Sequence, residues 1–151
     1  RRIGLVTYTK AHTRFSAGFF FGQMKWSPRL QIPVLVLSQR NTQEDQKRLK
    51  SWLKRNRPDA ILTDLSELRT MLTSINCRVP EDVALAALSV LDGNADAGID
   101  QNSREIGRVA VQLLISLINH NEVGIPKFCR EVLVEGSWTD GSTLPARTGA
   151  G

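Results

Sequence analysis

The sequence predicts a doubly wound α/β fold, a parallel sheet with helices on both faces, present as part of a larger domain. Three observations predict it. Four apolar runs, "IGLVTY" (3–8), "VLVL" (34–37), "AILT" (60–63) and "VALAALSV" (83–90), are unbroken rather than alternating, as in strands covered on both faces. Helical patterns separate them, and strand–helix alternation repeated three times with short connections reads as successive βαβ units. Last, "SREIGRVAVQLLISLIN" (103–119) carries more apolar surface than the small sheet before it can cover.

Taken in order, the first helix spans Ser16 to Trp26 and is weakened by Gly18 and Gly22. Their spacing of four puts both on one face, where a neighbouring backbone could approach. The second opens at Thr42 with Asp45 three residues on, a capping arrangement, and stops before Pro58. The third starts near Ser66, with Leu68, Met71, Leu72 and Ile75 as its inner stripe. A loop rich in Gly, Asn and Asp, "LDGNADAGIDQN", then leads to the long helix, for which Asn102 and Glu105 form a capping pair. Ile106, Val109, Ala110, Leu113, Leu114, Leu117 and Ile118 make its stripe, widened by Val111 and Ile115. A closing strand is expected at "REVLVEG" (130–136), and "PARTGAG" is a loose tail.

The 151 residues, 41% apolar and 23% charged, make a globular composition long enough to bury a core. No apolar run approaches the roughly 20 residues that span a bilayer, and no secretory signal is legible, so a cytoplasmic protein without membrane contact is expected. Cys77 and Cys129 have no metal-ligand spacing and are read as small buried hydrophobes in a reducing compartment. Much of the net charge of +5 lies in "QKRLKSWLKRNRP", read as a solvated helix face with Leu49, Trp52 and Leu53 turned inward.

Open α/β sheets bind ligands at the carboxyl ends of their strands. That directs attention to the loops Tyr8–Arg14, Ser38–Asn41, Asp64–Ser66 and Ser89–Asp96. Their polar groups include His12, Arg14, Gln39, Arg40, Asn41, Asp64, Ser66, Asp92 and Asn94, a donor and acceptor set suited to polyols or sugars. No nucleophile elbow, phosphate loop or dinucleotide fingerprint occurs. His12 and His120 lack a companion nucleophile, and His120 is expected to end a helix. Asp92, Asp96 and Asp100 recur every four residues, but without the alternating ligands and closing glutamate of a calcium loop. Neither catalytic residues, a metal nor a cofactor is expected.

The order of parts then becomes recognisable. "RPDAILTDLSELRTMLTSINCRVPEDVALAALSV", with its Val79-Pro80-Glu81-Asp82-Val83 signature, resembles lactose/galactose repressor (LacI/GalR) family regulators. "IDQNSREIGRVAVQLLISLI" is similar to their following helix, through Ile106-Gly107 and Ala110. "RRIGLVTY" with "RFSAGF", and "LVEGSWTDGSTLP", resemble their earlier strand and helix start and their closing strand. The likeness runs from about Arg2 to Pro145. It departs where those regulators meet effector: Ser89 stands near a usual aspartate, Leu65-Ser66 replaces "N-D", and Arg14 precedes Gly18 by four residues.

The resemblance implies the carboxyl-terminal half of a periplasmic-binding-protein-like sensor domain, with an effector between two lobes. Residues 1–96 would form the C-terminal lobe. Residues 97–136 would supply a crossing, helix and strand that belong partly to an N-terminal lobe, and 137–151 a final segment and tail. Effector contacts are expected at Tyr8, Arg14, Phe15, Asp64, Ser89 and Asp92, a hinge at Asp100 and Gln101, and a homodimer face at Leu68, Met71 and Leu72. Phe15 and Trp138 are candidate stacking faces, although core packing is the stronger reading for the aromatics. DNA would be bound through a headpiece outside this sequence. An exported solute-binding protein of the same fold is the alternative reading, and a small α/β enzyme a third.

Overall fold

The structure is a computed structural model, which describes residues 2–8, 12–26, 28–38, 42–122, 124–126 and 128–146, with the side chains of 12–14 left aside. The elements are β1 (Ile3–Tyr8), α1 (His12–Trp26), β2 (Leu35–Leu37), α2 (Gln43–Asn56), β3 (Ala60–Thr63), α3 (Leu68–Ser74), β4 (Ala84–Ala87), β5 (Gly98–Asp100), α4 (Ser103–Asn119) and β6 (Ser137–Thr139). The strands form one sheet in the order β2-β1-β3-β4-β5-β6, with every pairing parallel except β5 with β6. Non-adjacent order with crossover helices is the doubly wound pattern.

Alternation along β1 separates the two faces. Gly4 lies under the Trp52 indole, where a Cβ would come within 2.3 Å of the ring, so only glycine lets α2 settle onto this strand. Val6 joins the same core with Leu49 and Trp52 of α2 and Leu68, Met71 and Leu72 of α3. Ile3 and Leu5 face the other way, toward α1.

Helix α2 shows why these residues fold as they do. Thr42 caps it in extended geometry, its Oγ1 accepting from the Asp45 amide at 3.2 Å. Glu44 and Asp45 occupy the first turn and Lys54 and Arg55 the last, each sign matched to the helix dipole. Arg57 turns left-handed at φ 44°, its amide donating to the Leu53 carbonyl at 2.8 Å, and Pro58 follows.

The last third differs from the expectation in three places. β5 forms inside what reads as a loop, because Gly98, at φ 149°, lets the chain run against Ala87; a Cβ there would sit 2.1 Å from the Ala87 carbonyl oxygen. The expected strand at 130–136 forms no ladder, and the closing strand is Ser137–Thr139 instead. Asn102 does not cap α4 through its side chain: it is left-handed (φ 53°), its Nδ2 donates to the Glu135 carbonyl at 2.7 Å, and Glu105 pairs with Arg108.

Candidate functional site

At the carboxyl end of the sheet, register places Thr63 beside Val6, so the next residues, Thr7 and Asp64, stand together. The buried Thr7 hydroxyl donates to Asp64 Oδ2 at 3.0 Å. Asp64 Oδ1 is buried with no hydrogen-bond partner. Burial pushes the Asp64 carboxyl above its ordinary range, and the Thr7 bond opposes that shift. An unpaired acceptor at a strand end is what a ligand hydroxyl or ammonium would complete.

Next along the edge, the Leu88 amide donates to the Thr63 carbonyl at 2.7 Å, which brings the end of β4 beside Asp64's strand. Ser89 Oγ then donates to Asp92 Oδ2 at 2.7 Å, an exposed pair that leaves the second carboxylate oxygen toward solvent. Tyr8 is half-buried against the core. On the β2 side, Asp45 receives the Ser38 amide and hydroxyl and the Thr42 hydroxyl. Burial alone would raise the Asp45 carboxyl, but these hydrogen bonds outweigh it and hold it low.

The structure therefore brings Asp64 together with Thr7, and Ser89 with Asp92. Arg14 lies in the first turn of α1, its side chain outside the described residues, as are Gln39, Arg40 and Asn41. Phe15 lines an apolar groove of about 500 Å³ between α1 and the sheet, with Phe19, Trp26, Leu62 and Leu88. Gly18 and Gly22 border that groove with no atom near enough to meet an added Cβ, so no backbone approaches them as their spacing suggested. Trp138 stands on β6 at the far sheet edge, its indole donating to Asp140 at 2.8 Å.

Leu68, Met71 and Leu72 require a correction. All three are core residues, at most 2% exposed, because α3 packs this stripe onto β3 and β4. The inner-stripe reading describes them; side chains already enclosed cannot form a face toward a second chain. Cys129 is corrected as well, since it is exposed, whereas Cys77 is half-buried with its thiol pushed up by burial.

Where sheet gives way to α4, two stretches of chain run side by side. Asp100 Oδ1 accepts from the Asn102 amide at 2.8 Å, and Gln101 Nε2 donates to the Leu88 carbonyl at 3.2 Å. Glu135 and Gly136 return alongside, Gly136 lying against Ile99 and Asp100. Beyond them α4 has no buried residue at all; Leu114 is 57% and Ile118 67% exposed. Its stripe, with Val132 and Val134, lines an open groove of about 640 Å³.

A second constellation escaped the sequence reading. Asp96 Oδ2 accepts from the Ser142 amide and hydroxyl at 2.9 and 2.7 Å, and Oδ1 from the Thr143 amide and hydroxyl at 2.8 and 2.7 Å. These bonds hold its carboxyl far below the usual range. The fully buried Thr143 also accepts from the Ala97 amide and donates nothing to solvent, while its carbonyl accepts from Leu85. The signal was the pair of hydroxyls in "DGST", which reads as an ordinary turn until Asp96 is known to face it. Asp92, Asp96 and Asp100 thus serve separate partners: Ser89, the Ser142–Thr143 pair and the Asn102 amide.

The sheet order and crossover helices are those of a periplasmic-binding-protein-like α/β fold, and the sequence agrees: residues 1–138 match the family "periplasmic binding protein-like domain". The chain belongs to that family. Solved structures of similar fold are the transcriptional regulator LacI from Bacillus cereus subsp. cytotoxis (16% identity, TM-score 0.65) and the transcription regulator CcpA of Lactococcus lactis (14%, 0.64). A LacI-family transcription regulation repressor from Corynebacterium glutamicum is a third (18%, 0.61). Each match covers 95% of this chain but only 54%, 56% and 58% of the other, so this chain spans little more than half their length. Among curated protein sequences none matches significantly. No helix among the described residues is long and apolar enough to cross a membrane.

Proposed function

We propose that this chain is the effector-sensing half of a LacI/GalR-like transcriptional regulator. A small hydroxyl-bearing metabolite, a sugar or a relative of one, binds between this lobe and a companion lobe. The observation that carries the reading is α4: a seventeen-residue amphipathic helix without one buried residue, which contributes nothing to the buried core beside it. Its stripe is the surface on which the companion lobe packs. The paired crossings at Asp100–Asn102 and Glu135–Gly136 are then the hinge, and Asp64, Tyr8, Ser89, Asp92, Arg14 and Phe15 approach the cleft. Asp64 contributes the unfilled acceptor. The structural neighbours are transcription regulators, which supports regulation over catalysis.

Closure of the lobes is a population shift, and the effector drives it only through its differential affinity for the closed state. In a homodimer that shift changes the spacing of DNA-binding headpieces. Since Leu68, Met71 and Leu72 are enclosed, a dimer face on α3 would use its exposed residues, such as Arg69 and Thr73. The test is a thermal-shift screen of the intact protein against sugars and nucleosides. A ligand at a hundred times its Kd adds about 2.7 kcal/mol of stability, and Asp64→Asn should erase that shift. A binder whose shift survives Asp64→Asn would move the site elsewhere. A solute-binding protein without a DNA-binding headpiece is the competing reading, separated by whether the intact protein retains operator DNA.

A further inference from the structure

The regulator reading leaves one strongly charged surface unused. From Gln46 to Pro58 the chain has six Lys or Arg and no Asp or Glu. In the structure Lys47, Arg48, Lys50, Lys54, Arg55 and Arg57 are all exposed on α2 and its cap. Only Arg48 meets a carboxylate, Asp45, at the long distance of 3.9 Å; among the described residues the other five meet none.

Shape narrows what such a face could hold. Arg48 and Arg55 are seven residues apart, two helical turns or roughly 10 Å on one side of the helix. Between them lies a hollow of about 250 Å³, walled by Pro33, Leu35 and Trp52 at the edge strand of the sheet. The polar groups of its floor are already satisfied. The Trp52 indole donates to the Pro33 carbonyl at 2.7 Å, and Asn56 Nδ2 donates to the Trp52 carbonyl at 2.9 Å. The hollow therefore presents apolar surface bracketed by two guanidinium forks, each able to grip a carboxylate in two places.

We infer that this face docks an acidic segment of a partner protein, with an apolar side chain seated in the hollow and carboxylates on Arg48 and Arg55. The lysine row gives the encounter its steering and salt dependence. A nucleic-acid backbone would satisfy the charge but leaves the hollow empty, and Trp52 is buried rather than offered for base stacking.

The experiment is fluorescence anisotropy on the intact protein with a fluorescein-labelled peptide carrying one leucine flanked by glutamates. The same peptide with serine for leucine, and duplex DNA of arbitrary sequence, are the comparison probes. The double variant Arg48→Gln/Arg55→Gln should weaken the leucine peptide on the order of tenfold, while Arg78→Gln, exposed in the loop after α3, changes it less than about twofold. Serine for leucine should cost several-fold. Equal binding of the two peptides, tighter binding of the duplex through these arginines, indifference to the double variant, or no peptide binding each overturns the inference. Unchanged near-ultraviolet circular dichroism confirms that the variants fold.

Discussion

Helices α2 and α4 are both amphipathic, and their fates are opposite. α2 is the more polar, yet Leu49 and Trp52 are buried and its polar Asp45 and Asn56 are enclosed with them. α4 has an apolar stripe along its length and fully buries no residue of it, Val109 and Leu117 being only half-covered. The difference is not one of helix-forming tendency, since both form. It lies in what faces them. α2 meets a sheet shaped to receive it, down to the missing side chain at Gly4, whereas α4 leaves the sheet past Asp100 and shares an open groove with Leu88, Ile99 and the segment 132–136. An amphipathic stripe is a statement about a partner, and under the function proposed above that partner is the companion lobe.

The largest expected effect lies on the α2 side. Leu49→Ala removes a fully buried side chain from the main core and should cost about 2–5 kcal/mol, read as a fall in the urea midpoint at unchanged slope. If the loss is under about 1 kcal/mol, the core drawn above is wrong. Gly98→Ala comes next. The φ of 149° alone costs about 1–3 kcal/mol for an L residue, and the added Cβ would also press on the Ala87 carbonyl. The same urea titration, with loss of the β4–β5 amide protection in hydrogen exchange, checks it.

Between these extremes sits the clasp of Asp96 on Ser142 and Thr143. Thr143→Ala leaves the buried Ala97 amide without its hydroxyl partner, and exposed Asp96 with one bond fewer, and should cost about 1–3 kcal/mol. The pH dependence has a definite sign. The folded carboxyl of Asp96 is held below its ordinary value of 3.8, so its contribution is present above that value and is lost as pH falls through the folded one. Urea midpoints of the wild type and Asp96→Asn should therefore differ at neutral pH and converge in acid. Asp64 runs the other way: its carboxyl is raised, so ionising it on going up in pH is a cost that Asp64→Asn does not bear. The variant should gain on the wild type as pH rises through the mildly acidic range.

These particulars also mark what a sequence can disclose. β1, β3, α2 and α4 were legible because their signals are local: apolar runs, a Thr42 cap, a stop before Pro58, a repeating stripe. β5 was hidden because its three residues pair through long-range contacts and begin with a glycine chosen for closeness to Ala87 rather than for strand propensity. The run at 130–136 misled because its apolar residues answer the α4 groove and not a neighbouring strand. At the candidate site the strand-end rule pointed to Asp64, but Thr7 was invisible within an apolar run until register set it beside that carboxylate. The Leu68, Met71 and Leu72 stripe was read in two ways at once, and packing allows only the inward one.

The smallest expected effect is the sharpest test of the comparison. Leu114→Ser on the α4 stripe should change the stability of the 151-residue chain by no more than about 0.5 kcal/mol, the range of ordinary surface substitutions. In a longer protein that supplies the companion lobe, the same substitution should cost about 2 kcal/mol or more, because the side chain would then be enclosed. Equal small effects in both settings would mean that nothing packs on α4, and the two-lobe reading would fall with it. A large effect already in the 151-residue chain would mean that α4 finds its cover within these residues, as two copies exchanging the helix would provide; a concentration-dependent sedimentation profile would distinguish that case.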